Sequence, residues 1–528
     1  MAHRSLFTSL NRSLPKYARR PFPSCLPSGI TSDIIREVLQ ILPSKREARH
    51  FLREFGDANP DHPGSLHTAL THLHTLTGEM TQTAALTLSR LSRLGLWPII
   101  VVDDRSWIDH GSSLTRHDFS QARQVQDRIC RELDDTGARA IPLDLGIFFT
   151  GHSDPNNQEH SLSSSPHPSI RTDLSLITRA IHFGCIPVIL PIAIHHPSMH
   201  MRHLASVQAL LSLSKAFSLP SSTLPIPHRL LFLSPDLHLR NHALINLADE
   251  FPRLESELSA RELEAIRLAG QCLSHGRLTS TAILSSPLQS SIPIANLITD
   301  KPSVSPSLPF DRKPSINATI LRKGLPVSVV ESVDALDLPK VFSLLESSFG
   351  RTIDHQAYTE RLTQHFHRAI LVGDHEGLAI VTKEGPGHAV YYLDKFAVAP
   401  ASQGLSIADI LWNRLVKECP VLSWRSRSDN PVNAWYFERA QGHVLIPRTN
   451  WTVFWYGFNR GIGEWMKRYM EVASHIPASF SPSSPSPSSS FSSSSQEEYG
   501  TSGLRLKQTS SLKKNFAILS EQPMHVSE

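Results

Sequence analysis

The chain of 528 residues lacks the features that mark disulfide-rich, membrane-spanning or zinc-binding proteins. Its five cysteines lie far apart and form no C-x-x-C pair, which argues against a disulfide framework or a zinc site and favours a reducing compartment. The longest apolar stretch, Gly184 to Ile194, is about half of what a bilayer-crossing helix needs, so no membrane span is expected. Apolar residues make up 40% of the chain, and its length indicates two or three domains with ordinary cores.

Acidic residues are absent from residues 1–32, which contain five basic side chains and several serines. The net charge of +4 becomes −1 when those five are left out, so the body of the chain is nearly neutral and does not indicate a nucleic-acid surface. An acid-free start with arginine and serine is typical of a mitochondrial transit peptide. We expect residues 1–32 to be a disordered targeting segment; a plain disordered terminus is the alternative.

Helical and apolar-strand patterns alternate through residues 33–300. Predicted helices cover 33–55, 83–94, 174–183 and 241–247, and predicted strands cover 97–102, 186–194 and 230–233. Short apolar strands that follow helices indicate a mostly parallel α/β sheet. Residues 33–300 are therefore expected to form one α/β domain.

Composition then divides the rest of the chain into three parts. Residues 301–318 are rich in Pro and Ser and predict a linker. A second compact unit is predicted over 319–470, with a strand at 327–330, a helix at 338–348, a hairpin at 369–382 and a strand at 451–458 that closes the sheet. Residues 471–528 are Ser- and Pro-rich and are expected to be a disordered tail.

The block YYLDKFAVAPASQGLSIADILWNRL, residues 391–415, predicts a strand, a short loop ending at Gly404, and a helix. The unpaired amides of a helix start and the positive end of the helix make an anion site, which suits a pyrophosphate. A glycine between a strand and a helix is also commonly only a turn, and that alternative stays open.

The block VLSWRSRSDNPVNAWYFERAQG, residues 421–442, places two arginines on one strand. Because side chains alternate along a strand, Arg425 and Arg427 share a face, where they need a dianion or two carboxylates. Lys395 on the preceding strand is positioned to join them, so a small dicarboxylic amino acid such as glutamate fits. The alternative is a solvated edge strand with scattered charges.

A turn at Asn430-Pro431 and a short helix from Asn433 to Ala440 follow, and the helix carries Tyr436 between two other aromatic residues. An aromatic core cluster is the structural interpretation of these rings. Elsewhere, His195, His196, His200 and His203 have spacings that would suit a metal, but Pro197 breaks the helix that would align them. We expect a solvated loop there and no metal site.

The motifs YLDKFAV, SQG, WRSR, DNPVN, WYFER and NWTVFW, in this order, resemble the fungal mitochondrial N-acetylglutamate synthases. Upstream segments such as LSRLGLWPIIVVD and GCIPVILPIA are similar to the same family, so the resemblance covers nearly all of residues 33–470. It implies an α/β fold: an N-terminal amino-acid-kinase-like parallel sheet with flanking helices, followed by a C-terminal mixed α/β domain of the GCN5-related N-acetyltransferase (GNAT) type.

This resemblance implies that acetyl passes from acetyl-CoA to the α-amine of L-glutamate by direct attack in a ternary complex, the first step of arginine biosynthesis. It implies glutamate binding by Lys395, Arg425 and Arg427, a substrate-binding role for Asn430 in the turn that contacts the pantetheine arm, and Tyr436 as the acid for the departing thiolate. The implied coenzyme contacts are Phe396, Ala397, Val398, Gln403, Gly404, Ser406, Ile407 and Ala408. Ala401 and Ser406 depart from the family pattern Q/R-x-x-G-x-G/A, which puts the loop in doubt, and the sequence identifies no general base.

The first domain contains no Gly-Gly pair and no K-x-G-G, and Asp103-Asp104-Arg105 follows its first clear strand, which is a poor setting for phosphate. We therefore expect a non-catalytic, regulatory domain. The resemblance implies the mitochondrial matrix, no permanently bound cofactor, L-arginine as a feedback inhibitor, a homo-oligomer and association with acetylglutamate kinase. The alternative function is a catalytically weak regulatory or scaffold subunit that associates with that kinase.

Overall fold

The structure, a computed structural model, describes residues 67–74, 78–103, 114–151, 170–227, 229–235, 239, 242–277, 279–287, 294–297, 301–302, 304–309, 316, 318–403, 405–457 and 462–480. The predicted transit peptide, the predicted helix over 33–55 and residues 481–528 of the predicted tail lie outside the described residues. In the described part of the chain, no helix combines the length and the hydrophobicity that a membrane crossing requires.

The first half of the chain contains two sheets with helices packed against them. The strands are β1 His67–His74, β2 Leu96–Asp103, β3 Ala140–Leu143, β4 Phe148–Thr150, β5 Ile170–Thr172, β6 Ile186–Ile189, β7 Ile192–His195, β8 His200–His203, β9 Arg229–Leu233, β10 Leu244–Asn246, β11 Thr281–Ser285 and β12 Ala318–Arg322. The helices are α1 Glu79–Arg93, α2 Arg116–Asp135, α3 Ser175–His182, α4 Ser206–Ser218, α5 Leu247–Glu257 and α6 Ala260–Ser274. The eight-stranded sheet has the order β10-β12-β11-β9-β1-β2-β6-β3, and β5-β4-β7-β8 form a smaller sheet.

The larger sheet is parallel except where β12 pairs antiparallel with β11. Strands β2, β6 and β11 are almost completely buried, which is typical of a parallel sheet covered on both faces. Helices α2 and α6 both begin with a capping box, in which a Thr or Ser side chain accepts from the third helical amide and an acidic side chain accepts in return. The predicted parallel α/β sheet is confirmed.

Two sequence-based assignments in this half are wrong in detail. The apolar run 186–194 is two strands, β6 and β7, that belong to different sheets, because Pro191 between them cannot donate to a ladder. Residues 244–246, predicted as helix, form the buried strand β10, and the helix α5 starts only at Leu247. A short apolar run does not distinguish a buried strand from a buried helical turn.

The second half forms one seven-stranded sheet with helices on both faces. The strands are β13 Val327–Val330, β14 Phe366–Val372, β15 Gly377–Glu384, β16 Val390–Val398, β17 Leu422–Arg427, β18 Gly442–Leu445 and β19 Trp451–Tyr456. The helices are α7 Leu338–Phe349, α8 His355–His365, α9 Ile407–Glu418, α10 Asn433–Arg439 and α11 Ile462–His475. The order is β13-β14-β15-β16-β17-β19-β18, so β18 and not the last strand forms the edge.

The two faces of this sheet carry different helices. On one face, α9 and α10 pack with Leu393, Trp424 and Phe454. On the other face, α7 and α8 pack against Ala397 of β16, and α11 packs against Tyr392 and Val453. We call these the α9 face and the α11 face. Residues of one strand therefore contribute alternately to two separate cores.

The domain boundaries drawn from composition need three corrections. Residue 319 lies inside β12 of the first sheet, so the second sheet begins at Val327 and not at 319. The predicted tail start at 471 is also wrong, because α11 continues to His475 and Ile476 is buried beneath it. The linker is not a free spacer, since Ser307 is buried against the second half.

Candidate active site

The parallel strands β16 and β17 are joined by a single residue pair, Tyr392 with Ser423. Strand β16 continues to Val398 in register with β15, whereas its pairing with β17 ends at this point. Backbone amides of a strand point alternately to its two neighbours, so the amides that β16 directs toward β17 after Leu393 open onto a gap. A gap of this kind in the middle of a sheet lets groups approach from both faces.

A β-bulge at Asp394 aims two successive side chains at the α11 face. The register of β15 and β16 shifts between Ile380, opposite Lys395, and Val381, opposite Leu393. Asp394 is the extra residue, so Asp394 and Lys395 both turn toward α8, where normal alternation would separate them. The Asp394 carboxyl accepts from the Tyr358 hydroxyl at 2.7 Å, and the Lys395 ammonium lies 4.6 Å from the centre of the Tyr358 ring.

These groups form a buried network of alternating charge. The Lys395 ammonium donates to the Asp394 carboxyl at 2.6 Å, and the Arg361 guanidinium contacts Asp394 at 3.4 Å and Glu384 at 2.5 Å. Burial alone would raise the pKa of Asp394, but Lys395, Arg361 and the Tyr358 hydroxyl hold it at about 2. Burial lowers the pKa of Lys395, and the attraction of Asp394 opposes that change without cancelling it. Asp394 is therefore ionised at neutral pH and holds a cation in a nearly dry site.

Arg425 lies on the same face, beside this network. Its partner on β19 is Val453, which belongs to the core under α11, whereas Trp424 pairs with Phe454 on the α9 face. The guanidinium stacks over the Trp451 ring at 4.4 Å and donates to the carbonyl of Ala473 and, at 2.8 Å, to that of Ile476. The alternation predicted along this strand is present, and it places Arg425 next to the end of α11.

Arg427 and Asn430 occupy more exposed positions. The Arg427 guanidinium forms an exposed ion pair with the Asp429 carboxyl at 3.1 Å. The Asn430 side chain donates to the Ser426 hydroxyl at 2.9 Å and accepts from the amide of Val432, which makes it a local turn former. The structure therefore brings Lys395 and Arg425 against the same residues, 473–479. Arg427 is instead exposed beside Asp429, and Asn430 shapes the turn.

The loop predicted to hold an anion lies at the start of α9. Gly404 is outside the described residues, while Gln403 and Ala401 are exposed and Ile407 is buried. Ser406, the residue before the helix, has φ +59° and ψ +21°, a left-handed conformation that favours glycine. The family pattern has glycine or alanine at this position, and the backbone of Ser406 adopts a conformation that glycine favours; the serine side chain makes no cap hydrogen bond.

Phe396 and Val398 of β16 turn toward α9 and pack in its core, whereas Ala397 belongs to the core under α7 and α8. Ala408, in the first turn of α9, is half-buried. The predicted coenzyme contacts that are described therefore lie near the end of β16 and the start of α9, but their side chains do not share one face, because Ala397 points to the opposite side of the sheet.

The start of α9 carries an ion cluster that the sequence motifs did not indicate. Asp409, in the first turn of α9, accepts from the hydroxyls of Ser305 and Ser307 and from the Arg439 guanidinium at 3.2 Å. Arg439 is 1% exposed and stacks over the Trp435 ring at 3.8 Å. Arg439 neutralises the one acid in the first turn, so the positive end of the helix is preserved for an anion. Arg439 in the motif WYFER was the residue that could have indicated this cluster. Its partners lie far away in the sequence, in the linker and in α9.

Tyr436 on α10 is buried on the α9 face. Its ring lies 5.5 Å from that of Trp424 and 5.7 Å from that of Phe454. Burial raises the pKa of its hydroxyl far above the ordinary value, so the hydroxyl stays protonated at any physiological pH. The hydroxyl can therefore donate a hydrogen bond on the α9 face, and the aromatic-core interpretation describes the ring.

Comparison with known proteins assigns the second half of the chain to a family. Residues 328–475 match the family described as "NAT, N-acetyltransferase, of N-acetylglutamate synthase". The mitochondrial amino-acid acetyltransferase of Laccaria bicolor is 33% identical over 417 residues, which cover 69% of this chain and 73% of that one. The enzyme of the same name from Schizosaccharomyces japonicus is 29% identical over 509 residues, 85% of this chain and 98% of that one.

Among solved structures, the chain is similar to N-acetylglutamate synthase from Neisseria gonorrhoeae complexed with coenzyme A and N-acetyl-glutamate. The TM-score is 0.48 and the identity 16%, over 79% of this chain and 98% of that one. The predicted fold class is confirmed by the sheet topology of the two halves and by the matched family. The similarity to these two relatives extends over 417 and 509 residues, so it includes both halves of the chain. The chain belongs to the family of mitochondrial amino-acid acetyltransferases.

Proposed function

We propose that the protein is an N-acetylglutamate synthase that transfers acetyl from acetyl-CoA to the α-amine of L-glutamate, by direct attack in a ternary complex. The observation that carries the proposal is the gap between β16 and β17, with Lys395 and Arg425 on one face of the sheet and a helix N-terminus on the other. The two substrates then approach from opposite faces and meet at the gap.

The coenzyme is proposed to bind on the α9 face. Its pyrophosphate would meet the unpaired amides and the positive end of α9, at Gln403, Gly404, Ser406, Ile407 and Ala408. The pantetheine arm would follow β16 and form hydrogen bonds with backbone groups of Phe396, Ala397 and Val398. Asn430 would contact the arm at the turn. The thioester carbonyl then lies against amides of the gap, and such fixed dipoles at a developing oxyanion are worth about 3–4 kcal/mol.

The acceptor is proposed to bind on the α11 face. Lys395 and Arg425 would take its carboxylates, and the exposed Arg427 would complete the set, because two carboxylates need at least two cations in a dry site. Holding the amine against the carbonyl carbon makes a bimolecular reaction effectively unimolecular. Cations on two neighbouring strands would favour an acceptor that has two carboxylates over one that has a single carboxylate.

The proposed reaction forms a C–N bond and breaks a C–S bond. The glutamate ammonium loses one proton before attack and a second as the amide forms, and the thiolate gains one. The Tyr436 hydroxyl, whose pKa is raised by burial, would stabilise the leaving sulfur by donating a hydrogen bond. No side chain is assigned as the base that takes the ammonium proton; a chain of water molecules through the gap fits this chemistry.

Ser406 provides a test of the coenzyme site. Ser406→Gly is expected to raise the free energy of unfolding by about 0.5–1 kcal/mol and to leave the KM for acetyl-CoA unchanged, because glycine adopts φ +59° without strain. Thermal unfolding and initial rates measure both effects. Ser406→Val should destabilise the protein and raise that KM. A large rise in the KM with glycine would instead assign the phosphate contact to the serine hydroxyl.

The direct test of function is a thiol-release assay with acetyl-CoA and L-glutamate in the absence of ATP. Glutamate-dependent release of CoA, with N-acetylglutamate as the other product, is the expected result, and aspartate should be a much poorer acceptor. ADP formation on adding ATP and N-acetylglutamate would favour a kinase. Absence of both activities in folded protein would favour the catalytically weak scaffold subunit that associates with acetylglutamate kinase.

The first domain is proposed to be regulatory. Asp103, at the end of β2, has a pKa held at about 2: burial alone would raise it, but His72, which lies 3.4 Å away, and Ser206 lower it. This carboxylate lies at the carboxyl end of a parallel strand, where such folds place ligand phosphates, and its charge opposes a phosphate. Inhibition by L-arginine, a homo-oligomer, association with acetylglutamate kinase and residence in the mitochondrial matrix are proposed from family membership.

A further inference from the structure

The segment Ala473–Phe480 covers the two cations to which the acceptor site is assigned. Arg425 donates to the carbonyls of Ala473 and Ile476, and the Lys395 ammonium donates to the Ser479 hydroxyl at 3.0 Å. The Phe480 ring centre lies 5.7 Å from the same ammonium. Lys395 is 7% exposed, so an incoming carboxylate cannot reach it while this segment is in place.

The contacts to Arg425 imitate those of a carboxylate. Ala473 is in the last turn of α11, where carbonyl oxygens have no partner inside the helix and carry the negative end of the helix dipole. Two carbonyl oxygens meet the two terminal nitrogens of the guanidinium, which is the fork arrangement that a carboxylate offers. Two neutral carbonyl oxygens therefore occupy the position on Arg425 that a carboxylate would take, and the charged carboxylate would bind the guanidinium more strongly.

The outer end of the segment is fastened by a small number of contacts, whereas Ala473 and Ile476 at its start are buried in the core under α11. The amide of Asp354 donates to the Ser479 carbonyl at 3.4 Å, Phe480 forms an isolated bridge with Ile353, and its ring lies 4.8 Å from that of Phe349. Ser479 and Phe480 are half-buried. Such an attachment can open locally without disturbing the sheet.

A cavity lies directly behind the segment. It has a volume of about 880 Å³ between α8 and α11, and its lining includes Arg361, Glu471, Ile476 and Pro477. Arg361 contacts Asp394, and Ile476 binds Arg425 through its carbonyl, so these two residues separate the cavity from the cations. The cavity carries both signs of charge, which suits passage of a zwitterionic amino acid.

We infer that the segment Ala473–Phe480 is an internal occupant of the acceptor site, and that glutamate binds only when its outer end, residues 476–480, moves away from Lys395 and Arg425. This inference rests on the proposed function. When a site is open only part of the time, the apparent affinity falls by the open fraction, so the segment raises the KM for glutamate above its intrinsic value. The cavity is the access route for the acceptor, and a change in the segment's attachment would tune the enzyme's response to glutamate.

The test is the kinetics of the full-length Ser479→Ala and Phe480→Ala variants. Both should lower the KM for glutamate, Phe480→Ala by at least about threefold, with the KM for acetyl-CoA unchanged. The matched control is Ser474→Ala, an exposed serine of α11 whose hydroxyl bonds only within that helix, to the Met470 carbonyl at 2.6 Å. An unchanged or higher KM for glutamate in both variants, while Arg425→Ala raises it, would overturn the inference and leave the proposed function intact.

Hydrogen exchange supplies a second measurement that does not depend on turnover. With CoA bound and no acetyl group to transfer, glutamate should speed amide exchange in residues 476–480, because the ligand displaces the segment. Slower exchange in that segment would mean that it builds the acceptor site, which contradicts the inference. If Arg425→Ala leaves the KM for glutamate unchanged, the assignment of Arg425 to a substrate carboxylate is wrong. Failure of the proposed function is thus distinguishable from failure of the inference about the segment.

Discussion

Arg425→Ala should raise the KM for glutamate by about 100-fold and leave the KM for acetyl-CoA within about twofold. A charge-assisted contact to a desolvated guanidinium contributes about 1.5–3 kcal/mol, and a tenfold change in affinity corresponds to about 1.4 kcal/mol. Acetyl-CoA binds on the opposite face of the sheet and does not use this side chain. Initial rates with each substrate varied in turn measure the two constants.

The matched control is Arg267→Ala in the first half. Arg267 also hydrogen-bonds a partner, Glu255 at 2.7 Å, and also lies over an aromatic ring, that of Phe251 at 5.8 Å, but it is exposed. Arg267→Ala should leave the KM for glutamate and the KM for acetyl-CoA unchanged. Equal rises in the KM of both substrates for Arg425→Ala would indicate a distorted fold, and the thermal unfolding midpoint separates that case. An unchanged KM for glutamate in folded protein would refute the carboxylate role.

Asp394→Asn should lower the free energy of unfolding by about 3–5 kcal/mol, because it leaves Lys395 and Arg361 buried without their shared anion. The pKa of Asp394 is about 2 in the folded protein against 3.8 unfolded, so its carboxylate stabilises the fold above pH 3.8 and that contribution is lost as the pH falls toward 2. Acid unfolding should therefore be less steep in the variant across this window. Chemical unfolding at several pH values measures both effects.

The same substitution has a kinetic consequence that a merely structural residue would not show. Burial already lowers the pKa of Lys395, and without Asp394 it should fall further, so Lys395 loses its charge at a lower pH. The KM for glutamate of Asp394→Asn should then rise with pH earlier than that of the parent protein. A parallel pH profile in the two proteins would contradict the positioning role of Asp394.

Asp374→Asn is the control for this experiment. Asp374 binds Lys340 at 2.6 Å, the same distance as Asp394 to Lys395, but both side chains are exposed. Solvent screens an exposed pair, so the free energy of unfolding should change little. A loss as large as that of Asp394→Asn would show that burial is not what makes the inner pair important.

Local patterns were sufficient to predict most elements of the second half. The strand over 391–398, the helix after Gly404 and the alternation of Arg425 with Trp424 follow from spacing within one segment, and the structure contains them. The left-handed backbone at Ser406 was not visible, because serine rarely adopts it and the residue type gave no signal.

What the sequence did not reveal depends on contacts between distant segments. The bulge at Asp394 puts Asp394 and Lys395 on the same face of the sheet, and no periodicity within YLDKF indicates it. Arg439 finds Ser307 from the linker at 2.7 Å, and Ser479 from the supposed tail reaches Lys395. Serine and proline in those segments suggested disorder, yet Tyr469, Val472, Ala473 and Ile476 follow helical spacing and bury the end of the chain's last described helix.

The proposed activity depends most on which groups hold the acceptor's carboxylates, and a crystal structure of the protein with CoA and N-acetyl-L-glutamate tests this directly. We expect the two carboxylates of the ligand within hydrogen-bond distance of Lys395 and Arg425, the CoA pyrophosphate at the start of α9, and residues 476–480 moved away from the cations. A ligand bound elsewhere, with Arg425 still on the carbonyls of Ala473 and Ile476, would contradict the account.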